Sequence, residues 1–137
     1  MSTIIADNLT GKTSAGSITV TSEGGAATQS LQQGLAKAWV NFNGTGTIAI
    51  RDSLNATSLN DDGTGLYDVN FTSAMNDTNY SAVVDGAFDT ADTAGTVVHG
   101  LRRISLSTSF VGVRCYSPGG SFSDPQVNTS NVHGDLA

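Results

Sequence analysis

The chain has one cysteine, one glutamate, two histidines and six basic residues, and no apolar run approaches the ~20 residues that span a bilayer. Each scarcity removes a class of protein. A lone Cys115 forms no intramolecular disulfide, and its place in an alternating run predicts a buried structural thiol. Six scattered Lys and Arg in a chain of net charge −6 make no stripe for a phosphate backbone, so no nucleic-acid partner is expected. Glu23 stands alone beside eleven Asp; Asp favours turns where Glu favours helices, which points to strands and loops. The start, MSTIIADNLTGK, has neither a basic opening nor an apolar core, so no signal peptide and no membrane insertion are expected.

Catalytic and metal-binding patterns are equally thin. Ala6 to Thr13 fits a loose phosphate-loop pattern, but a three-residue entry and a β-like exit lack the strand and helix that such a loop needs. His99 and His133 are far apart in strand-like runs, with no HxH or HExxH spacing, and read as half-buried strand residues. Asp85, Asp89 and Asp92 form one acidic cluster and Asp61 with Asp62 a second. Neither has the spacing of a calcium loop, so both read as solvated turn residues. No GxSxG occurs. The expectation is no enzyme, no cofactor and no metal. Seven Asn-x-Ser/Thr sites, from Asn8 to Asn128, read as a by-product of an Asn/Ser/Thr-rich surface.

What is present is strand and turn. Ser and Thr make up roughly a quarter of the chain, beside 16 Gly, with Thr, Val and Ile in the periodic runs. At 137 residues the chain is long enough for one domain with a real core and a short appended segment. In residues 1–36 two β-like pieces, Thr3–Ile5 and Ser17–Thr21, precede EGGAATQSLQQGLAKA, the one helix-compatible stretch. Ser30 is its candidate cap, and Leu31 with Leu35 gives a narrow apolar edge, either covered by identical copies or left on a frayed arm with one helical turn.

From Ala38 the period becomes two. Ala38, Val40 and Phe42 alternate with Trp39, Asn41 and Asn43. Asn43 to Gly46 is turn chemistry, and Ile48 and Ile50 complete a hairpin. Asn60 to Gly65 marks another turn, before Tyr67, Val69 and Phe71 alternate. Further strands are predicted at Tyr80–Asp85, Thr96–Ile104 and Phe110–Tyr116. The last run, Gln126–His133, has only Val127 and Val132 as strong apolar residues, and so reads as an edge strand or one completed by a neighbouring subunit. The fold class is all-β: a β-sandwich or jelly-roll-like body of about eight short strands over 37–137, with an N-terminal arm, 1–36, holding a candidate helical turn.

The pieces AWVNFNG, IRDSLNATS, DDGTGLYDVNF and TSAMNDTNY resemble a module of tail-fibre-like proteins from tailed, particularly marine, bacteriophages. The opening MSTIIADNL with ITVTSEGGAATQSLQQGLAKAW resembles the leader of that module, and VHGDLA its terminus. Thr90 to Ser123 carries the resemblance least. The family implies a virion structural protein: a homotrimeric short tail-fibre or tail-tip component, joined through its arm to other virion proteins and touching a host-surface glycan or protein. Leu31, Leu35, Trp39, Val127 and Val132 are the candidate assembly residues. The turns Asp61–Gly65, Phe88–Gly95 and Pro118–Asp124, rich in adaptable polar residues, are the candidate receptor-facing loops, with Asp61, Asp62, Phe88, Asp89, Asp92 and Phe122 named within them. A capsid-bound head fibre or decoration protein would use the same fold. A soluble carbohydrate-binding module or small depolymerase is the alternative of another class.

Overall fold

A computed structural model describes residues 3–14, 17–88 and 98–137, with the side chains of 103–105 left out. The chain divides into two compact units, Met1–Leu35 and Ala36–Ala137. In the first, β1 (Thr19–Thr21) pairs antiparallel with β2 (Thr28–Ser30), and one helical turn, α1 (Leu31–Gly34), follows directly. Ser30 caps α1 as expected, its hydroxyl accepting from the Gln33 N–H at 3.4 Å. The helix-compatible stretch is otherwise taken up by β2 and its turn. Thr3–Ile5 forms no strand, because Ile4 and Ile5 stand exposed without a pairing neighbour among the described residues.

The second unit is the predicted β-sandwich. Its strands are β3 (Ala38–Asn43), β4 (Ala49–Leu54), β5 (Ala56–Gly63), β6 (Leu66–Phe71), β7 (Ser81–Ala87), β8 (Val98–Leu106), β9 (Phe110–Tyr116) and β10 (Val127–His133). One sheet runs β4-β3-β10-β7 and the other β5-β6-β9-β8, all pairs antiparallel. The period-two pattern explains the packing. Ala38, Val40 and Phe42 of β3 and Val132 of β10 meet Tyr67, Val69 and Phe71 of β6 and Val111, Val113 and Cys115 of β9 in one core. Phe42 meets Tyr67 edge-on, ring centroids 5.2 Å apart.

After Phe71 the chain bends: the Asp77 carboxylate accepts from the Asn79 N–H at 2.7 Å, and Tyr80 re-enters the core. Met75, buried beside it, was not marked by any periodicity.

Two elements differ from expectation. The turn expected over Asn60–Gly65 is shorter: β5 remains paired with β6 to Gly63, leaving only Thr64 and Gly65 as the turn. The last strand, β10, is interior and not an edge: it pairs with β3 on one side and β7 on the other. Its inward residues are Asn128, Ser130 and Val132. Two of the three are polar, so apolar content alone underestimates how deep the strand lies.

Candidate binding surface at the loop end of the sandwich

One side chain gathers the loops at one end. The Asp124 carboxylate accepts from the Gly65 N–H at 2.5 Å and lies 2.8 Å from the Tyr67 hydroxyl, which is also 3.0 Å from the Gly44 carbonyl. The single phenolic proton is thus shared between two acceptors. Burial, with the hydrogen bond and negative charge of Asp124, holds the Tyr67 hydroxyl far above its usual pKa of 10. Gly44 in turn donates its N–H to the Pro125 carbonyl at 3.0 Å.

Both glycines are demanded by close approach. A Cβ on Gly44 would fall 2.5 Å from the Tyr67 hydroxyl, and Gly65 (φ +66°) would set one 2.5 Å from the Cys115 carbonyl. The β3–β4 turn, the β5–β6 turn and the segment before β10 are therefore locked together.

Behind this end lies a buried polar cluster. The Asn128 amide donates to the Pro125 carbonyl at 2.9 Å, which orients its Oδ1 toward Cys115 Sγ and His99 Nε2, each 3.2 Å away. An amide oxygen only accepts, so a neutral His99 carries its proton on Nε2. Cys115 is the buried structural thiol expected, its pKa pushed up to about 12 by burial and the charge of Asp124. Burial lowers the pKa of His99 from 6.5, with Asn128 and Asp85 opposing the shift. Above about pH 6.5 the ring is neutral folded or unfolded; as pH falls below it, the unfolded chain takes up a proton the folded chain resists. The urea midpoint is accordingly expected to be lower at pH 5.5 than at pH 7.5. His99→Gln should flatten that slope; an unchanged slope would exclude His99 as its source.

The outer face of the second sheet holds a charged cluster. Asp68, on the side of β6 opposite Tyr67 and Val69, is buried. Arg102 of β8 pairs with Asp62 and lies 3.8 Å from Asp68. Burial first, and the charge of Asp62 second, raise the Asp68 pKa above 3.8, with Arg102 opposing. Its contribution to stability has the opposite pH sense to that of His99: present below the unfolded pKa and lost as pH rises through the folded one. On β9, Tyr116 stacks on Phe122 (centroids 4.6 Å, planes 24° apart), and the Arg114 guanidinium lies 5.7 Å from the Tyr116 centroid.

The sequence-predicted receptor loops thus converge in part. Asp61, Asp62 and Phe122 are exposed; Asp62 and Phe122 belong to the outer face, and Asp61 stands opposite the inward Tyr67. Phe88 is half-buried against the core, so it is a packing residue where an outward one was expected. Asp89 and Asp92 lie outside the described residues. Of the assembly candidates, Val132 is 0% exposed and packs inside the sandwich, a correction that follows from the interior position of β10. Val127 and Trp39 are half-buried. Trp39 falls on the outer face, in a cross-strand row with Leu54 and Asn131, and Asn131 pairs onward with Val83. Leu31 is half-buried and Leu35 is 55% exposed.

Sequence reading missed Asn128, Arg102 and Arg114 and took Asp124 only as the end of the Pro118–Asp124 turn; their partners are mostly remote in the chain. Among the described residues, no cluster of three His, Cys, Asp or Glu side chains is placed to hold a metal, and no helix is long and apolar enough to cross a membrane.

No protein-family model matches the sequence, and no curated protein matches it. Among solved structures the chain is similar to the tailspike of the phage phiAB6, determined in complex with three-repeated oligosaccharides of Acinetobacter baumannii surface polysaccharide. The TM-score is 0.59 at 16% identity, over 85% of this chain. The shared property is the fold. The chain spans 23% of that tailspike's length.

Proposed function

We propose that this protein is a virion component of a tailed bacteriophage, a short tail-fibre or tail-tip element that contacts the host surface through the loop end and outer face of its sandwich. The observation that carries the reading is the fold likeness to a phage tailspike across 85% of the chain. It joins the independent resemblance of AWVNFNG, DDGTGLYDVNF and TSAMNDTNY to tail-fibre-like proteins. The arrangement supports binding more than cleavage: rigidly stapled turns present Asn, Asp, Ser and aromatic side chains, and the acids Asp62 and Asp68 share Arg102.

The assembly in this reading is a homotrimer. Trp39, Leu54 and Val83, on the outer face of the first sheet, offer apolar surface that symmetry-related copies would cover, and the N-terminal unit separately exposes Leu35. The N-terminal unit would join other virion proteins.

The test is saturable binding of the full-length protein to an array of bacterial surface polysaccharides, with reducing ends assayed in parallel. Binding without release of reducing ends supports the proposal. Binding with release would make the protein a depolymerase, and no saturable binding would remove the host-contact role.

A further inference from the structure

We infer that Arg114, Tyr116 and Phe122, on the outer face of the second sheet, form a binding site for a carboxylate-bearing saccharide unit; this names a ligand class and rests on the host-contact reading above. Val111, Val113 and Cys115 of β9 point into the core, so Gly112, Arg114 and Tyr116 point out. The register sets Arg114 between Leu66 of β6 and Gly100 of β8, and Tyr116 beside the exposed Val98. Gly100 leaves open the strip that the Arg114 stem occupies, since a Cβ there would come 3.3 Å from Arg114 Nε. The result is an aromatic cluster in which Phe122, 46% exposed, stacks on Tyr116 and the Arg114 guanidinium lies over the Tyr116 ring.

Charge accounting selects the ligand. Among the described residues Arg114 makes no ion pair. Among the described acids of this face, Asp62 and Asp68 share Arg102, while Asp61 stands opposite the inward Tyr67. A guanidinium that lies over the Tyr116 ring and makes no ion pair among the described residues keeps its forked donors for a carboxylate. The exposed Phe122 ring stacked on Tyr116 offers the kind of apolar surface that fits the C–H face of a pyranose. A sugar ring bearing a carboxylate satisfies both at once, and a neutral sugar only one.

The rings also have a structural task. They close the Ser117–Ser121 turn, in which the Ser117 N–H donates to the Ser121 carbonyl at 2.8 Å and Tyr116 bridges to Phe122. That task needs the rings and not the cation, so Arg114 is the discriminating residue.

The full-length protein would be titrated with trigalacturonate, a hyaluronan tetrasaccharide and trisialic acid, against neutral maltotriose. At least one acidic probe is expected to bind ~10-fold tighter than maltotriose, and Arg114→Gln to remove that ~10-fold preference with the thermal midpoint unchanged, the size of one charge-assisted fork. Arg114→Lys should restore only part of it. Equal binding of acidic and neutral probes, an Arg114→Gln variant as selective as the wild type, or no binding of any acidic probe would overturn the site. Polysaccharide binding on the array would survive such a result and keep the host-contact reading apart from this one.

Discussion

Asp124→Ala is expected to cost about 3 kcal/mol of stability, since it removes two hydrogen bonds from a carboxylate and bonds to charged groups contribute ~1.5–3 kcal/mol each. In the variant the buried Gly65 N–H loses its acceptor, and the Tyr67 hydroxyl keeps only the Gly44 carbonyl. In a domain of this size that corresponds to a fall of roughly 10 °C in thermal midpoint. Asp124→Asn retains an oxygen in the same place and should recover at least half of the loss. Calorimetry on the three proteins checks the stability. Amide exchange at Gly65 checks the location, which should accelerate in Asp124→Ala ahead of the core strands. A change below about 0.5 kcal/mol, the size of an ordinary surface substitution, would mean that the turns are not stapled by this carboxylate.

Phe42→Ala should be more damaging, at about 4 kcal/mol by urea denaturation, within the ~3–5 kcal/mol typical of a fully buried Phe. Phe42 is 0% exposed and its ring meets Tyr67 of the opposite sheet, so truncation opens a cavity where the two sheets touch. The neighbouring Tyr67 hydroxyl is anchored at Asp124, which limits collapse of that ring into the space. Phe42→Leu, which fills most of the volume, should cost ~1–1.5 kcal/mol. A loss under 1 kcal/mol for the alanine variant would contradict the face-to-face packing of the sheets. Phe42 lies in the core between the sheets, so its effect separates from ligand selectivity; Asp124 holds Gly65 and lies two residues from Phe122, so selectivity is tested at Arg114 alone.

The fold was legible where one face of a strand is apolar and the other is not. β3, β6 and β9 could be read almost residue by residue, because Val40, Phe42, Tyr67, Val69, Val111 and Val113 recur at the period that a half-buried strand imposes. Ser30 was legible as a cap for a similarly local reason. β5 was not, since an exposed edge strand carries the same Asn, Asp and Gly as a turn. β10 was misplaced at the edge because its burial is achieved with Asn128 and Ser130. Asn128 is satisfied by Cys115, His99 and Pro125, and hydrogen bonds that solvate a core amide leave no hydrophobic trace in sequence.

The candidate surface was legible only as loops. That Asp124 serves Gly65, 59 residues away, depends on tertiary closure, as does the gathering of Arg102 and Arg114 on one face from basic residues that look scattered along the chain. Composition pointed to a polar, turn-rich surface; pairing register shows which of its residues meet.

The most direct test of a fibre-like virion component is the native mass of the full-length protein by light scattering, across micromolar concentrations. Three copies of the 14.0 kDa chain, about 42 kDa, is the predicted result. A 14.0 kDa monomer throughout the range would contradict the reading, leaving the exposed Leu35 and the Trp39 face without the partner copies it assigns to them.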